Sequence, residues 1–540
     1  MYKNNLWNIL FPILLAAAVV GGLFAGAFLV SSQRHGLQQR VAPFSPHDNK
    51  ISYLLSLIDR SYVDPVDLDS VTEAIMPMIV GELDPHSVYI SAGDFAKANE
   101  TLDGEFDGIG VLFNMATDTA VILNVIPGGP SDKAGIVNGD RIMKVNDTIV
   151  AGVKLDHNEL VKKLRGPRGT KVELSLKRGG VQKLIPVTVE RGKIPIKSLT
   201  AAFMIAPRTA YINLESFSKN SHDEVARALA SLQQQGMEKL IFDLRGNSGG
   251  FLDQAIELAN DLLPANNLIV YTEDRGKSRV ERYSNGKGRF TGVELAILID
   301  EGSASSSEIL AGAIQDNDRG VVIGRRSFGK GLVQEQVQFG DGSAVRLTVA
   351  RYYTPTGRSI QKPYDDGAEE YYSDFVNRWE HREMFTADSI KFADSLRFTT
   401  PQGKVVYGGG GIMPDIFVPL DTTAVSKYYM DVTRSHILYR YTLEYADRHR
   451  DRINAVKSLG DLEAFLDADS GMLEDFIAYA ARQGVRRDRK GIKMSEKLLI
   501  AQLRAYIGRH SPMEDTGFYA NIYPIDDVIM TALKELGSAE

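Results

Sequence analysis

The residues best suited to chemistry lie in one stretch of the chain, Leu295 to Gln334, which contains a serine-rich turn and a glycine-flanked lysine. The apolar run that opens this stretch predicts a buried strand, and the turn after it opens a short helix. A serine hydroxyl is a weak nucleophile unless a base removes its proton. Lysine can serve as that base when burial lowers its pKa, by up to about 3–5 units. The stretch therefore predicts nucleophilic catalysis by Ser305 with Lys330 as its base.

Ser305 also has a purely local interpretation. With Glu308, three residues later, it satisfies the capping-box pattern, in which a serine only caps the first N–H groups of a helix. Capping, however, does not require a serine-rich turn directly after a buried strand. At that place the hydroxyl faces the positive end of the helix, and the next N–H, from Ser306, points to where an oxyanion would form. The catalytic interpretation accounts for more of the pattern.

Two other motifs overlap the lysine and fit less well. Gly324 and Gly329-Lys330 have the spacing of a phosphate-binding loop, but Gly331 stands where the metal-binding Ser or Thr belongs, and the residues that follow alternate like a strand. Ser327-x-x-Lys330 matches the SxxK motif of penicillin-binding enzymes, yet their SDN and KTG partner motifs are absent from the sequence. The sequence therefore predicts neither nucleotide binding nor a penicillin-binding enzyme.

Composition excludes several classes of function. The 540 residues include no cysteine, so disulfides, thiol catalysis and cysteine-ligated metals are excluded. The nine histidines form no HExxH motif, and the nearest one upstream of Ser305, His222, lies on a predicted helix among polar neighbours. A net charge of -7 gives no electrostatic support for nucleic-acid binding. The sequence predicts no metal, no cofactor and no nucleic-acid partner.

The N-terminus carries a membrane signal. From Leu6 to Val30 the chain is almost wholly apolar, with Lys3 ahead of it. A spanning helix needs about 20 such residues, whereas the apolar region of a cleaved signal has about 7–15. The length favours an uncleaved anchor over residues 1–30, followed by a linker over 31–46, although Ala25-Gly26-Ala27 keeps a cleaved signal open. With no second span in the sequence, the body of the protein is expected outside the cytoplasm.

The rest of the chain divides into four parts by its pattern. Residues 47–103 have helical spacing and predict a small helical domain. In residues 104–190, apolar and polar residues alternate and glycines recur. Residues 191–420 predict strands alternating with helices. Such a pattern gives a layered core whose functional site is expected at the strand ends. The residues from 421 to 540 look wholly helical and carry no chemical motif; packing, dimerisation or partner docking would each suit them.

Residues 104–190 resemble a PDZ domain. The resemblance rests on Pro130 to Gly135 and on Gly139 to Asn146, which read PSDKAG and GDRIMKVN. Just before a predicted strand, Gly108-Ile109-Gly110-Val111 can turn its N–H groups into a nest for a terminal carboxylate, and the strand edge can pair with an extended peptide. The alternative is a glycine hairpin without a ligand.

Much of the chain resembles the carboxyl-terminal processing peptidases, which are tail-specific Ser-Lys proteases with an embedded PDZ domain. Seven motifs carry this resemblance. In chain order they are LDPHS (83–87), the glycine stretch (104–110), the PDZ segment (130–146), DLRGNSGG (243–250), the Ser–Lys block (302–334), YYTPTGRSIQ (352–361) and GGGGIMPD (408–415). The resemblance covers roughly residues 50–420. It implies a multidomain α/β protein whose mixed sheet-and-helix core has crotonase-like or ClpP-like layering, with the PDZ domain inserted and a helical extension after it.

By matching positions, the resemblance implies that Ser305 is the nucleophile, rather than Ser303 or Ser307, and that Lys330 is the base. Gln334 would orient the lysine, although an ordinary strand glutamine is the alternative. The oxyanion hole would pair the Ser306 N–H with that of Gly249 or Gly250. Supporting roles fall to Asp316, Arg245 and Glu308.

The implied function is a serine endopeptidase that recognises exposed C-terminal tails through its PDZ domain and cleaves through an acyl-enzyme. The implied location is a bacterial cell envelope, with the chain anchored in the inner membrane, or secreted after signal cleavage, and its body in the periplasm. A non-catalytic PDZ scaffold is the alternative function. The sequence leaves open whether the PDZ domain inhibits or recruits, and whether the protein forms a homo-oligomer or binds an adaptor.

Overall fold

The computed structural model describes residues 49–115 and 118–538. The predicted anchor over residues 1–30 and the linker over 31–46 lie outside these described residues. Within the described ranges, no helix combines the length and apolar character needed to cross a membrane. Of these described residues, those up to Met76 and those from Pro77 onward form two compact units.

The N-terminal helical segment consists of two helices, α1 (Lys50–Ser61) and α2 (Leu68–Gly81). Helix α1 is capped by Asn49, whose side-chain oxygen accepts a hydrogen bond from the Ile51 N–H at 3.0 Å. The break between the two helices contains an Asp-Pro step, which disfavours helical geometry before the proline. A short strand and a third helix follow, β1 (Val88–Ile90) and α3 (Phe95–Asp103).

A small β-rich domain comes next. Its helices and strands are β2 (Glu105–Gly108), β3 (Val111–Asn114), β4 (Ala120–Val125), α4 (Pro130–Lys133), β5 (Arg141–Val145), β6 (Thr148–Ile149), α5 (His157–Leu164), β7 (Lys171–Lys177), β8 (Ile185–Glu190) and β9 (Gly192–Pro195). Strands β3, β4, β5, β7 and β8 form one antiparallel sheet in that order, and β2 pairs with β9. Strand β3 therefore lies at the edge of its sheet.

The core is built on a six-stranded sheet with helices against it. Its strands, in spatial order, are β10 (Leu199–Ala206), β11 (Thr209–Leu214), β12 (Lys239–Asp243), β15 (Glu294–Ile299), β16 (Val321–Gly324) and β21 (Ile416–Phe417). All neighbours from β11 to β21 are parallel, which agrees with apolar strands buried on both faces. Three helices pack on one face, α6 (Ser221–Gln234), α7 (Leu252–Leu262) and α8 (Ser306–Asp316).

A second, antiparallel sheet carries the chain that follows the lysine. It contains β1, β18 (Ala344–Tyr353), β13 (Leu268–Asp274) and β14 (Arg279–Tyr283), and β17 (Leu332–Gln338) also pairs with β18. Because β1 and β17 both pair with β18, residues near 86 and near 334 are brought to one region. An acidic, tyrosine-rich insertion after β18, at roughly residues 364–398, contains α9 (Ala368–Glu380). Its end pairs in a hairpin, β19 (Arg397–Thr399) with β20 (Val405–Tyr407).

The C-terminal region is helical, as the sequence predicts. Its helices are α10 (Lys427–Arg434), α11 (Ile437–Arg448), α12 (Arg450–Asn454), α13 (Leu459–Asp467), α14 (Met472–Arg482), α15 (Arg489–Met494), α16 (Glu496–Arg509), α17 (Glu514–Ile522) and α18 (Asp527–Glu535). Helices α10 to α16 share an apolar cluster of their own. Helix α18 instead packs on the face of the six-stranded sheet opposite α6, α7 and α8.

Candidate active site

Ser305 lies in the tight turn between β15 and α8, in a strained backbone conformation with φ 56° and ψ -114°. The hydroxyls of its serine neighbours are engaged: Ser303 donates to the Leu244 carbonyl, Ser306 to the Gly250 carbonyl and Ser307 to the Asn247 carbonyl. The Ser305 hydroxyl donates to no acceptor among the described residues. The turn therefore leaves one of its serine hydroxyls available for chemistry.

A buried carboxylate joins the serine turn to the lysine loop. One oxygen of Glu308 accepts the N–H groups of Ser305 and Lys330, each at 2.9 Å. The other oxygen accepts the Ser327 hydroxyl at 2.5 Å and the Gly329 N–H at 2.7 Å. Burial raises the pKa of Glu308, while these four donors favour the ionised form and oppose the shift. The helix-capping glutamate thus fixes the distance between the backbones of Ser305 and Lys330.

Tyr352 on β18 makes a second connection between the same two residues. Its hydroxyl is fully buried and contacts the Ser305 carbonyl at 3.1 Å and the Lys330 carbonyl at shorter range. Burial raises its pKa well above the ordinary value, so the hydroxyl keeps its proton and remains a donor. The N–H groups of Ser305 and Lys330 therefore share one carboxylate, and their carbonyls share one hydroxyl.

The Lys330 amine donates a hydrogen bond to the side-chain oxygen of Gln334 at 2.9 Å. Burial lowers the pKa of Lys330, and the positive charge of Arg346 acts in the same direction, whereas Asp84 and Glu308 oppose it. Among the described residues the amine has no salt bridge and no hydrogen bond to the Ser305 hydroxyl. Burial thus desolvates the predicted base, and Gln334 accepts a hydrogen bond from its amine.

Gln334 is held in turn by the LDPHS turn. Its amide nitrogen donates to the backbone carbonyl of His86. The turn is closed by Asp84, whose carboxylate accepts the His86 N–H at 2.8 Å and the Ser87 hydroxyl at 2.6 Å. Burial, and after it the charge of Lys330, lowers the pKa of His86 to about 4, so its imidazole is neutral.

No sequence motif assigns His86 a role at the site, but the structure places it beside Gln334. It is separated from Gln334 by 248 residues in sequence, and pairing of β1 and β17 with the same strand brings the two together. Its Nε2 contacts the Tyr371 hydroxyl at 2.8 Å rather than any serine. The signal that could have found it is the LDPHS motif itself. His222 instead contacts Asp261 on α7, away from the serine turn.

The candidate oxyanion donors differ in their availability. The Gly249 N–H donates to the side-chain oxygen of Asn247 at 2.8 Å. The N–H groups of Gly250 and Ser306 have no acceptor among the described residues, and the Ser306 hydroxyl bonds the Gly250 carbonyl at 3.0 Å. A side chain at Gly249 would place a Cβ 2.8 Å from that of Ser305. Gly250 therefore fits the second donor better than Gly249, and Gly249 keeps the space above the serine open.

The supporting acid Asp316 lies at the far end of α8 from Ser305. It forms an ion pair with Arg358 at 2.6 Å in which both side chains are 0% exposed, and it accepts the Thr356 hydroxyl at 2.6 Å. Its contacts are therefore with the YYTPTGRSIQ turn and not with the lysine. Arg245 is also remote from the serine hydroxyl, since its guanidinium pairs with Asp243 and with Asp526 at the start of α18.

The insertion helix α9 covers the lysine loop. Arg378 donates to the carbonyls of Ser327 at 2.8 Å and Phe328 at 3.1 Å, on the two residues just before the Gly329-Lys330 step. Lys362 bonds Asp374 at 2.9 Å and stacks over the Phe328 ring at 4.0 Å. No sequence motif associates this helix with the site.

The four predicted peptide-binding residues lie at the start of the edge strand β3. The Ile109 carbonyl accepts the Ser131 N–H at 2.9 Å, and the Gly110 carbonyl accepts the Ile126 N–H at 3.1 Å. Gly108 ends β2, Gly110 has a φ of 75°, and Val111 begins β3. The loop has the positive φ that turns successive N–H groups toward one side. No hydrogen bond among the described residues joins these four to Ser305 or Lys330.

Comparison with known proteins adds three family matches. Residues 208–368 match the model of peptidase family S41, residues 108–189 that of the PDZ domain, and residues 428–511 a family of unknown function. A probable CtpA-like serine protease of Staphylococcus epidermidis is 31% identical over 364 residues, which cover 66% of this chain and 72% of that protein. A carboxy-terminal-processing protease of Bartonella bacilliformis is 36% identical over 302 residues, covering 55% and 68%.

Solved structures also resemble the chain. The photosystem II D1 C-terminal processing protease is 24% identical, with a TM-score of 0.35, and the match covers 68% of this chain and 92% of that one.

Proposed function

Because the chain belongs to the S41 family of carboxy-terminal processing serine proteases, we propose that it is an endopeptidase in which Ser305 attacks and Lys330 removes the proton. The predictions of this family, of a serine protease, and of a mixed α/β core with a PDZ domain and a helical C-terminal region are confirmed. The Ser-Lys mechanism and the recognition of C-terminal tails are the proposal.

The observation that carries the proposal is the shared anchoring of Ser305 and Lys330. One Glu308 oxygen holds both N–H groups, and the Tyr352 hydroxyl contacts both carbonyls. Such fixed positioning supplies much of the rate of a reaction between two side chains. A surface lysine would not need it, and neither would a serine that only caps a helix.

In the proposed reaction the neutral amine of Lys330 accepts the Ser305 proton as the hydroxyl oxygen bonds to the scissile carbonyl carbon. One N–H of the neutral amine donates to Gln334. The lone pair of the amine nitrogen is therefore free to point toward Ser305. The negative charge passes to the carbonyl oxygen, which the N–H groups of Gly250 and Ser306 would receive. The leaving amine takes the proton back from Lys330, and water then hydrolyses the acyl-enzyme by the reverse sequence.

The PDZ domain would supply the substrate. A free carboxylate would be held by the N–H groups of the Gly108–Val111 loop, while the chain before it pairs with β3 as an added strand. This assignment is supported by the position of β3 at the edge of its sheet and by the positive φ of Gly110. Substrates are then proteins or peptides with accessible C-terminal tails.

The test is cleavage of a peptide with a free apolar C-terminus by the full chain and by two variants, Ser305→Ala and Lys330→Ala. Both variants are expected to lose cleavage by at least about a thousandfold, whereas Lys277→Ala, at a lysine that is 81% exposed, serves as the control and should cleave normally. Labelling of Ser305 by a serine-reactive probe would be expected in wild type. Normal turnover by Ser305→Ala, or an unlabelled Ser305, would favour the non-catalytic scaffold instead.

We also propose that the protein works at the outer side of a bacterial inner membrane. The support is the apolar run from Leu6 to Val30, which is long enough to span the bilayer. Fractionation of cells that express the full chain should place it with membranes, with its body accessible to protease added from the periplasmic side. Recovery in the soluble periplasmic fraction at a lower mass would indicate signal cleavage.

A further inference from the structure

A cavity of ≈ 460 Å³ lies between the PDZ domain and the C-terminal helices, and neither the active site nor the carboxylate loop contributes to it. Its lining residues are Asn114 and Met115 at the end of β3, and Ser435, His436, Tyr439 and Arg440 around the start of α11. One wall of the cavity therefore comes from the PDZ domain. The other comes from residues 428–511, which match a family of unknown function.

Direct contacts fix the two walls relative to each other. Glu514 of α17 accepts hydrogen bonds from Asn124 on β4 and from Lys197, just after β9, each at 2.6 Å. Arg141 on β5 lies 3.6 Å from Asp447 at the end of α11. The cavity is thus bounded by elements that contact each other at three further points, and it does not depend on a single loop.

The direction of β3 leads a bound tail toward this cavity. A terminal carboxylate held at the loop before Val111 forces the peptide to run along β3 toward Asn114, antiparallel to the strand. Each paired residue advances about 3.3 Å, and β3 has 4 residues. A tail bound in this way would come level with Asn114 and Met115, which line the cavity, about four or five residues before its C-terminus.

The chemistry of the cavity favours a negatively charged occupant. Arg440 lines the cavity and has no salt bridge among the described residues; one terminal nitrogen donates to the Ser435 carbonyl at 3.4 Å, and its Nε has no acceptor there. The acid one turn along α11, Glu444, instead accepts the Tyr479 hydroxyl at 2.7 Å. A guanidinium whose charge has no acidic partner favours a carboxylate, which can accept hydrogen bonds from its terminal nitrogens.

We propose that this cavity is a subsite for an acidic side chain of the substrate tail, four or five residues before the free carboxylate. The subsite rests on the proposed capture of tails by the PDZ domain. It would make the C-terminal helical region a determinant of substrate choice, since that region supplies Arg440. Asn114 and Tyr439, whose side chains hydrogen-bond each other, line the same cavity.

The test measures binding to the full chain carrying Ser305→Ala, which prevents turnover. The probes are fluorescent decapeptides that all end in the same apolar residue with a free carboxylate. They differ only at the fourth and fifth positions from the C-terminus, which carry Glu, Gln or Lys. We expect the Glu peptides to bind about tenfold more tightly than the Gln peptides, in line with a hydrogen bond to a charged group. Arg440→Gln should abolish that difference, while Arg486→Gln, at an exposed arginine of the same region, should preserve it.

A charge exchange separates recognition from misfolding. Arg440→Glu should reverse the preference so that Lys peptides bind more tightly than Glu peptides, and thermal unfolding checks that each variant is folded. Equal dissociation constants for the Glu, Gln and Lys peptides in the parent protein would overturn the subsite while leaving tail capture intact. Equal binding of amidated and free-carboxylate peptides would overturn tail capture, and the subsite with it.

Discussion

The most informative single change is Gln334→Glu, which keeps the size of the side chain and replaces a neutral oxygen beside the lysine by a charged one. Gln334 lies 2.9 Å from the Lys330 amine. A carboxylate at that distance favours the protonated amine, so the pKa of Lys330 rises. Since only the neutral amine can take the serine proton, the fraction of active enzyme at a given pH falls.

The size of the effect follows from the distance. Two unit charges 2.9 Å apart interact by about 6 kcal/mol at an effective dielectric constant of about 20. That energy corresponds to about 4 pKa units. The side chain of Lys330 is half-buried, so solvent still screens part of this interaction. The expected shift in the pKa of Lys330 is therefore reduced to about 2 units. The acid limb of kcat/KM should therefore move about 2 units to higher pH, with about a hundredfold loss near neutrality.

The assay is the pH dependence of kcat/KM on a quenched peptide with a free apolar C-terminus. Wild type should gain activity as pH rises through the lowered pKa of Lys330, and Gln334→Glu should reach comparable activity only at higher pH. Gln338→Glu adds the same charge at an exposed position on β17 and should leave the profile in place. Gln334→Met should lower kcat without the alkaline shift, because it removes the orienting oxygen but adds no charge.

An unchanged acid limb in Gln334→Glu, in a protein that unfolds normally, would refute the reasoning. It would mean that the group whose deprotonation limits the reaction is not the amine that Gln334 contacts. A uniform loss at all pH values would equally refute the electrostatic argument, since it would trace the defect to the lost hydrogen bond with His86.

Three further changes test the surroundings of the dyad. In Glu308→Gln, an NH₂ group replaces one carboxylate oxygen and faces two donors that it cannot accept from. We expect steady-state kinetics to show kcat reduced about a hundredfold with KM little changed. Arg358→Met leaves the fully buried Asp316 without its partner, and denaturant unfolding should show a loss of about 3–5 kcal/mol. Gly249→Ala brings a Cβ to 2.8 Å from that of Ser305 and should abolish probe labelling, whereas Gly246→Ala, with no neighbour within 4 Å, should label normally.

The local half of the site could be read from the sequence because its signals are local. The run before the serine turn predicts the strand that is observed as β15, and the turn is followed by α8. The alternation of apolar and polar residues after Lys330 predicts a strand, which is observed as β17. This strand is exposed from its fourth residue onward. Strand periodicity and a helix-start pattern depend on residues a few positions apart, which a single sequence contains.

The other half depends on pairing between distant segments, which periodicity does not record. Tyr352 reaches Ser305 across 47 residues, and His86 reaches Gln334 across 248. Glu308 could be assigned as a helix cap, but its bonds to Ser327, Gly329 and Lys330 depend on how the lysine loop folds back over α8. The contacts of α9 with the lysine loop likewise depend on the tertiary fold.

The C-terminal region shows how far this dependence extends. A sheet whose strands are apolar on both faces needs cover on both. In the six-stranded sheet, Ile241 and Leu298 are 0% exposed because Ile529 and other residues of α18 pack against them. The Arg245 guanidinium, five residues before Gly250, also pairs with Asp526 at the start of α18. The last helix is therefore a layer of the peptidase core itself, next to the loop that would bind the oxyanion. The helices before it contact the PDZ domain through Glu514 and Asp447, so one C-terminal region contacts both the strand and turn that lead to Gly250 and the proposed tail-binding domain.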